Sequence, residues 1–254
     1  MYVFDNGAPQ APARLRALAE VFDPGTIRAL EARGIAEGWR CLEVGGGLGT
    51  MTQWLSARVG PHGSVLTTDI DTRHLGALSL ANTEIRQHDV VTEPLPTERF
   101  DLAYTRLVLE HVSDPARALA NMVQAVKPGG WVVVEDFEIA PSEPDAEIPK
   151  TFLAMRQAIA AAGVDQRCGR FLSRRLRSCG LEDVTAEGRV LLWSGSNAGT
   201  TLMRLNAEQL RDRILATGLV TADQYADDLR RLDDEGFECR APTMWTAWGR
   251  RAAG

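Results

Sequence analysis

The chain has 254 residues, 44% of them hydrophobic, and a formal net charge of -6. A chain of this size buries one large core and is expected to form a single domain, while its acidic balance disfavours nucleic acid and anionic membrane surfaces as partners. The four cysteines, Cys41, Cys168, Cys179 and Cys239, match no metal-ligand spacing, so reduced structural thiols and no metal are expected. No apolar run approaches the roughly 18 residues of a spanning helix, and Met1-Tyr2-Val3-Phe4-Asp5 lacks the basic and apolar regions of a signal peptide. The expected location is the cytoplasm.

Residues 9–33 read as two short helices, the second started by an Asp23-Pro24 cap and the region closed by Gly34. Residues 41–50, Cys-Leu-Glu-Val-Gly-Gly-Gly-Leu-Gly-Thr, read as a buried strand running into a glycine loop that opens a helix. Gly45, Gly47 and Gly49 let the backbone turn and approach a ligand closely. A dinucleotide fingerprint needs glycine where Thr50 stands, so the pattern is G-x-G-x-G, with Glu43 two residues before it. Next, Ser64-Val65-Leu66-Thr67-Thr68-Asp69 reads as a second strand ending on an acid that can accept hydrogen bonds from ribose hydroxyls, followed by Ile70. Asp71 is the weaker candidate, because alternate positions at a strand end point opposite ways.

Residues 72–80 read as helix, and His88-Asp89-Val90 as a short acidic turn after Ile85-Arg86-Gln87. Pro94 and Pro96 mark a loop into the strand Phe100-Asp101-Leu102-Ala103-Tyr104-Thr105-Arg106, which runs on to Leu107-Val108-Leu109-Glu110-His111-Val112. Ser113-Asp114-Pro115 starts a helix over 115–126 that Pro128-Gly129-Gly130 stops, before the strand Trp131-Val132-Val133-Val134-Glu135. This alternation implies parallel strands with right-handed crossovers. Beyond it come a proline-rich acidic loop from Ile139 to Asp145, helices over 149–162 and 169–179, a strand over 181–193, helices over 200–216 and 221–235, and a last strand from Thr243 to Arg250. Leu202, Leu205, Leu210 and Ile214, then Tyr225, Leu229 and Leu232, recur at helical spacing.

Four of these segments, in order, resemble the class I S-adenosylmethionine (SAM) dependent methyltransferases: the glycine loop, the acid ending the second strand, the acidic turn, and the paired strands around a proline-glycine turn. Within that class the chain is similar to small-molecule methyltransferases of quinone and natural-product biosynthesis. The resemblance implies an α/β, Rossmann-like, doubly wound sheet of seven mostly parallel strands, the last one antiparallel, with a helical cap. It implies SAM as cofactor and S-adenosylhomocysteine as product. Carried over residue by residue, it places Gly45, Gly47 and Gly49 at the cofactor loop, Glu43 orienting the loop and the ligand's amino group, Asp69 at the ribose, Ile70 beside it among the cofactor-binding residues, Asp89 and Val90 at the adenine, and Arg106 beside the methionine part. The N-terminal helices are expected to close over that end, with no residue identified.

The expected organisation is a single domain over 1–254, with N-terminal helices over 1–38, a SAM-binding core over 39–136, and cap insertions over 137–167 and 197–236 that cover the acceptor. An extra structural layer or a homodimer contact is the alternative use of those insertions. No catalytic residue is assigned: His111 can serve as a base on an acceptor, but such a histidine also packs and hydrogen-bonds locally, and Glu135 and Asp136 are comparable candidates. Arg167, Arg170, Arg174, Arg175 and Arg177 read as a solvated helix face over Phe171, Leu172 and Leu176. Trp193, Trp245 and Trp248 read as core. The expected function is methyl transfer to a small-molecule oxygen, nitrogen or carbon. The alternatives are a SAM-binding protein without methyl transfer and a macromolecular methyltransferase, the latter disfavoured by the lack of a basic stripe.

Overall fold

The protein is described from a computed structural model, over residues 3–139, 148–195 and 197–253. Strands β1 (Arg40–Val44), β2 (Ser64–Asp69), β3 (Thr83–Gln87), β4 (Phe100–Arg106), β5 (Val126–Glu138) and β6 (Leu181–Arg189), with the later β9 (Thr243–Arg251), form one seven-stranded sheet in the order β3-β2-β1-β4-β5-β9-β6. Pairs among β1 to β5 are parallel, and β9 runs antiparallel to both β5 and β6. This is the expected doubly wound sheet with its last strand reversed. Because both faces are covered, the central strands are apolar on alternate sides: Leu42, Ala103 and Val134 pack on one face, and Cys41, Leu102 and Val133 on the other. The strand order reverses between β1 and β4, which opens a crevice at their carboxyl ends.

Several local expectations change. Residues 9–33 form one helix, α1 (Ala11–Glu31), with Pro24 inside it. A proline in a helix interior costs about 3 kcal/mol. Burial of Leu15, Phe22, Thr26 and Leu30 along the helix offsets that cost, and Asp23 pairs with Arg106 instead of capping. After α2 (Thr50–Val59), residues 72–80 hold only a turn of 3-10 helix, Thr72–His74, with the Asp71 side chain accepting from the Arg73 N–H. Leu75 and Leu78 from this segment instead wedge against the glycine loop, where a Cβ on Gly49 would lie 2.4 Å from Leu78.

Helix α3 (Pro115–Ala125) starts as expected, the Asp114 carboxylate accepting from the Arg117 N–H at 2.9 Å. Of the acidic loop expected over 139–145, before helix α4 (Lys150–Ala161), all but Ile139 lies outside the described residues. Helix α5 (Leu172–Ser178) leads into β6. The strand expected over 181–193 is two strands. Arg189 pairs with Met244 at the end of β9, so no partner continues beyond it, and β7 (Leu192–Ser194) pairs with β8 (Glu238–Arg240). That two-stranded stem carries helices α6 (Ala198–Gln209), α7 (Arg211–Ala216) and α8 (Ala222–Arg230), with a break near Leu210 inside what reads in sequence as one helix. Helix α1 lies along α6, and α4 lies on α7 and α8, so Phe22, Phe152, Leu202, Ile214, Tyr225 and Leu232 share one apolar core. Among the described residues no helix is long and apolar enough to cross a membrane.

Candidate active site

The loop after β1 and the acid ending β2 hold each other. The Gly47 N–H donates to Asp69 Oδ2 at 2.9 Å, and Asp69 Oδ1 accepts from the Asp71 N–H at 2.9 Å. Gly47 has φ of 54°, and a Cβ there would meet nothing nearer than Leu15 at 3.9 Å, so its missing side chain leaves open space above the loop. Beneath the loop, Glu43 is buried and its Oε2 accepts from the hydroxyls of Thr52 at 2.6 Å and Thr67 at 3.0 Å. Burial pushes the Glu43 carboxyl up to about 7, against the pull of those two hydrogen bonds. Asp69 is likewise raised by burial.

Above these residues lies a cavity of about 380 Å³. Glu43, Gly45, Gly47, Asp69, Ile70, Asp89, Val90 and Arg106 all line it, so eight of the nine residues singled out in the sequence converge on one space. Gly49 is not among the lining residues; it takes the left-handed N-cap position of α2 and packs against Leu75 and Leu78. The wall that sequence reasoning did not resolve comes from Asn6 and from Leu15, Leu18 and Ala19 of α1. These are a turn residue and ordinary helix residues with no local signature. Arg106 is tied to that helix, donating to the Thr26 hydroxyl at 2.8 Å and to Asp23 Oδ1 at 2.6 Å. Burial works against its charge, but Tyr104, Asp23 and Glu135 outweigh burial and favour the charged form.

The candidates at the end of β5 serve other purposes. Glu135 is fully buried, taking hydrogen bonds from Arg189, Thr246 and Thr26 at 2.5 to 2.6 Å. It joins β9, β6 and α1 and lines neither cavity described here. Asp136 is also fully buried; burial and then the Glu110 carboxyl push it well above the usual carboxylate range. Of the arginine-rich segment, Arg170 pairs with Glu138 at 2.9 Å and Arg175 with Asp165 at 2.8 Å, while Leu172 and Leu176 pack inward.

A second cavity, of about 110 Å³, adjoins the first and shares Leu18, Leu107 and His111 with it. Phe137, Phe152, Met155, Trp193, Leu202 and Met203 give it apolar and aromatic walls. Trp193, expected as plain core, thus faces a cavity as well. Residues of α4 and α6 contribute to this space and none contributes to the first. At the junction Leu107 holds φ of 55°, a left-handed conformation costly for a leucine, with its N–H donating to Glu135 O at 2.8 Å. Strain of this kind is kept where surrounding structure over-determines it. His111 Nε2 lies 3.2 Å from Glu110 Oε1. Among the described residues no cluster of three or more His, Cys, Asp or Glu forms a metal site, and all four cysteines are free thiols.

The profile of the family described as a methyltransferase domain matches residues 11–219. The ubiquinone/menaquinone biosynthesis C-methyltransferase UbiE of Proteus mirabilis is 30% identical over 130 residues, 47% of this chain and 51% of that one. The chain spans about half the length of the curated relatives it matches. Among solved structures, phosphoethanolamine N-methyltransferase 2 of Haemonchus contortus in complex with SAM superposes with a TM-score of 0.59 at 14% identity, covering 98% of this chain and 59% of that one. The [4+2]-cyclase SpnF superposes with a TM-score of 0.55 at 19% identity, covering 100% of this chain and 86% of that one. At these identities the structural likenesses speak for the fold alone.

Proposed function

This chain belongs to the methyltransferase-domain family, the class I SAM-dependent enzymes, and from that premise we propose that it transfers a methyl group from SAM to a small, largely apolar acceptor. The observation that carries the proposal is the meeting of two cavities at Leu18, Leu107 and His111, one lined by the motif residues and the other by the insertions. Gly45 and Gly47 admit the ligand to the backbone, Asp69 takes the ribose hydroxyls, and Ile70, Asp89 and Val90 hold the adenine. Glu43, whose carboxyl can accept, and Arg106, a charged donor, suit the two ends of an amino acid, and Gly49 acts through the placement of α2. Bound there, the cofactor supplies an electrophilic methyl group carried on a sulfonium.

For such a reaction the protein's task is alignment and exclusion of water, and the apolar walls of the second cavity serve both. A small chamber with mostly apolar walls supports a small-molecule acceptor over a macromolecular one. The naming of UbiE relatives as C-methyltransferases of ubiquinone and menaquinone biosynthesis makes a ring carbon the first acceptor to try. The domain reading follows the same division, with the core over 39–136 binding SAM and the insertions over 137–167 and 197–236 covering the acceptor, joined in that cover by α1. Calorimetry with S-adenosylhomocysteine, followed by transfer from methyl-labelled SAM to a panel of hydroquinones and phenols, tests the proposal. Binding of NAD in place of S-adenosylhomocysteine would overturn it. Cofactor binding with no transfer to any acceptor would favour a SAM-binding protein of another activity, of which a cyclase on this fold is an example.

A further inference from the structure

We propose that the methyl acceptor is a single-ring molecule bearing a carboxylate, its ring held between the aromatic walls of the second cavity and its anionic end on two arginines of that cavity, Arg14 and Arg156. The proposal rests on the reading of the second cavity as the acceptor chamber.

The chamber's volume, about 110 Å³, sets the size of its occupant. An apolar cavity of roughly 150 Å³ takes one benzene, so this one holds no more than a single ring, whose substituents reach out at its ends. Phe137, Phe152 and Trp193 offer that ring flat faces, and the thioethers of Met155 and Met203 adapt around it.

Such walls alone would suit a neutral ring, yet three of the lining residues are arginines, Arg14, Arg156 and Arg240. Among the described residues the lining has one acid, Glu110, which stands at the junction end, 3.2 Å from His111. Arg14 is 2% exposed on α1, with its guanidinium carbon 4.3 Å from the centre of the Phe4 ring, which lines the same chamber. A guanidinium has five N–H donors in a planar fork, enough to serve a protein neighbour and a carboxylate together. Leu18, on the same face of α1, lines both cavities, and four residues of helical rise put it about 6 Å from Arg14. A carboxylate on Arg14 therefore leaves the far end of the ring at the junction, where the attacking atom must meet the cofactor's methyl group.

Arg156 lies one turn from Phe152 on α4, on the helix face that lines the chamber, and is half-buried. Arg240 is exposed at the rim and makes no ion pair among the described residues, so its charge draws an anion towards the mouth. Inside, a carboxylate gains a charge-assisted, bidentate pair with a guanidinium that a neutral amide of the same shape cannot make.

The test is equilibrium binding of 4-hydroxybenzoate and its neutral amide, 4-hydroxybenzamide, to the protein saturated with S-adenosylhomocysteine, near pH 7 where the acid is ionised. The carboxylate should bind at least about ten-fold more tightly. Arg14→Met and Arg156→Met, which keep apolar bulk without the charge, should each cut that preference about three-fold or more, and Arg14→Lys should keep more of it than Arg14→Met. Arginines with a packing role only would shift both probes together and leave their ratio unchanged. 6-Hydroxy-2-naphthoate, with the same groups on two rings, should bind at least about ten-fold more weakly than 4-hydroxybenzoate. Equal binding of acid and amide by the unaltered protein, failure of both to bind, a ratio unchanged in both Met variants, or equal binding of the naphthoate would each overturn the proposal. The comparisons on the unaltered protein stand whether or not a variant folds. Failure of S-adenosylhomocysteine to bind would count against the proposed function instead.

Discussion

Residues up to 113 enclose the first cavity and residues after 137 supply most of the second, and the two groups do so by different means. The first is made by backbone at strand ends: a glycine at positive φ over open space, an acid whose oxygens take two backbone N–H groups, a buried glutamate beneath. The second is made by side-chain bulk from Phe4, Phe152, Trp193 and Met203, which come together across most of the chain. Sites of the first kind tolerate few residue types at fixed short spacings. Those of the second kind ask only for apolar volume, which many sequences supply, and so they can be varied to suit an acceptor without disturbing the cofactor.

The strongest test of that separation is Phe152→Ala. Phe152 is 2% exposed within the cap core, so its truncation should cost about 3 to 5 kcal/mol in urea unfolding. Affinity for S-adenosylhomocysteine should nevertheless stay within about two-fold where the variant is folded, since no atom of α4 lines the first cavity. A large loss of cofactor affinity would show that the halves are coupled, the obvious route being α1, which lies along α6 and walls both spaces.

The same asymmetry explains what could be read from the sequence. Eight of nine proposed cofactor residues converge because their signal was local: glycines two apart and acids just after strands. Gly49 belongs to the same pattern yet serves packing, since spacing shows that a Cβ is unwelcome without showing whether a ligand or Leu78 excludes it. The single α1 was missed because Asp23-Pro24 is a good start signal locally, and only the long-range burial of Phe22 and Thr26 and the pairing of Asp23 with Arg106 override it. The expected cap over 137–167 and 197–236 did not name the residues that line the second cavity. Nothing near Trp193 in the sequence announces Leu202, Phe152 or His111 as its neighbours.

Within the cofactor half, Glu43 gives a pH signature. Its carboxyl moves from an ordinary value near 4.5 to about 7 on folding because burial disfavours the charge. Between those values the folded state binds more protons than the unfolded state. Stability from this group is thus full below pH 4.5 and declines as pH rises through 7. Glu43→Gln, which keeps the shape without the charge, should lack that decline, so the wild type should lose about 3 kcal/mol relative to the variant between pH 4 and 8. Parallel curves from chemical denaturation across that range would mean that Glu43 stays ionised in the fold, held by Thr52 and Thr67.

Asp69→Ala should remove charge-assisted hydrogen bonds to the ribose and free the Gly47 N–H that shapes the loop. The expected loss is about 1.5 to 3 kcal/mol, or roughly ten-fold to more than a hundred-fold in affinity for S-adenosylhomocysteine by calorimetry. Unchanged affinity would move the ribose away from β2 and undo the assignment of the first cavity.

The smallest effect should come from Asp89, a half-buried residue at the cavity's rim whose carboxylate already accepts from the Val91 N–H at 2.9 Å. Asp89→Asn keeps an oxygen for that turn but loses the charge that would draw an adenine amino group, and partial exposure limits the cost to about 0.5 to 1.5 kcal/mol. Affinity alone is a blunt readout for so small a term; base preference is sharper. In S-inosylhomocysteine the amino group is replaced by a carbonyl, which a carboxylate repels and an asparagine amide can approach as a donor. The wild type should therefore prefer S-adenosylhomocysteine over the inosine analogue, and Asp89→Asn should narrow that preference several-fold without altering stability. An unaltered preference would place recognition of the base on the backbone at Val90 and on the apolar faces of Ile70 and Val91, leaving Asp89 only its role in the turn.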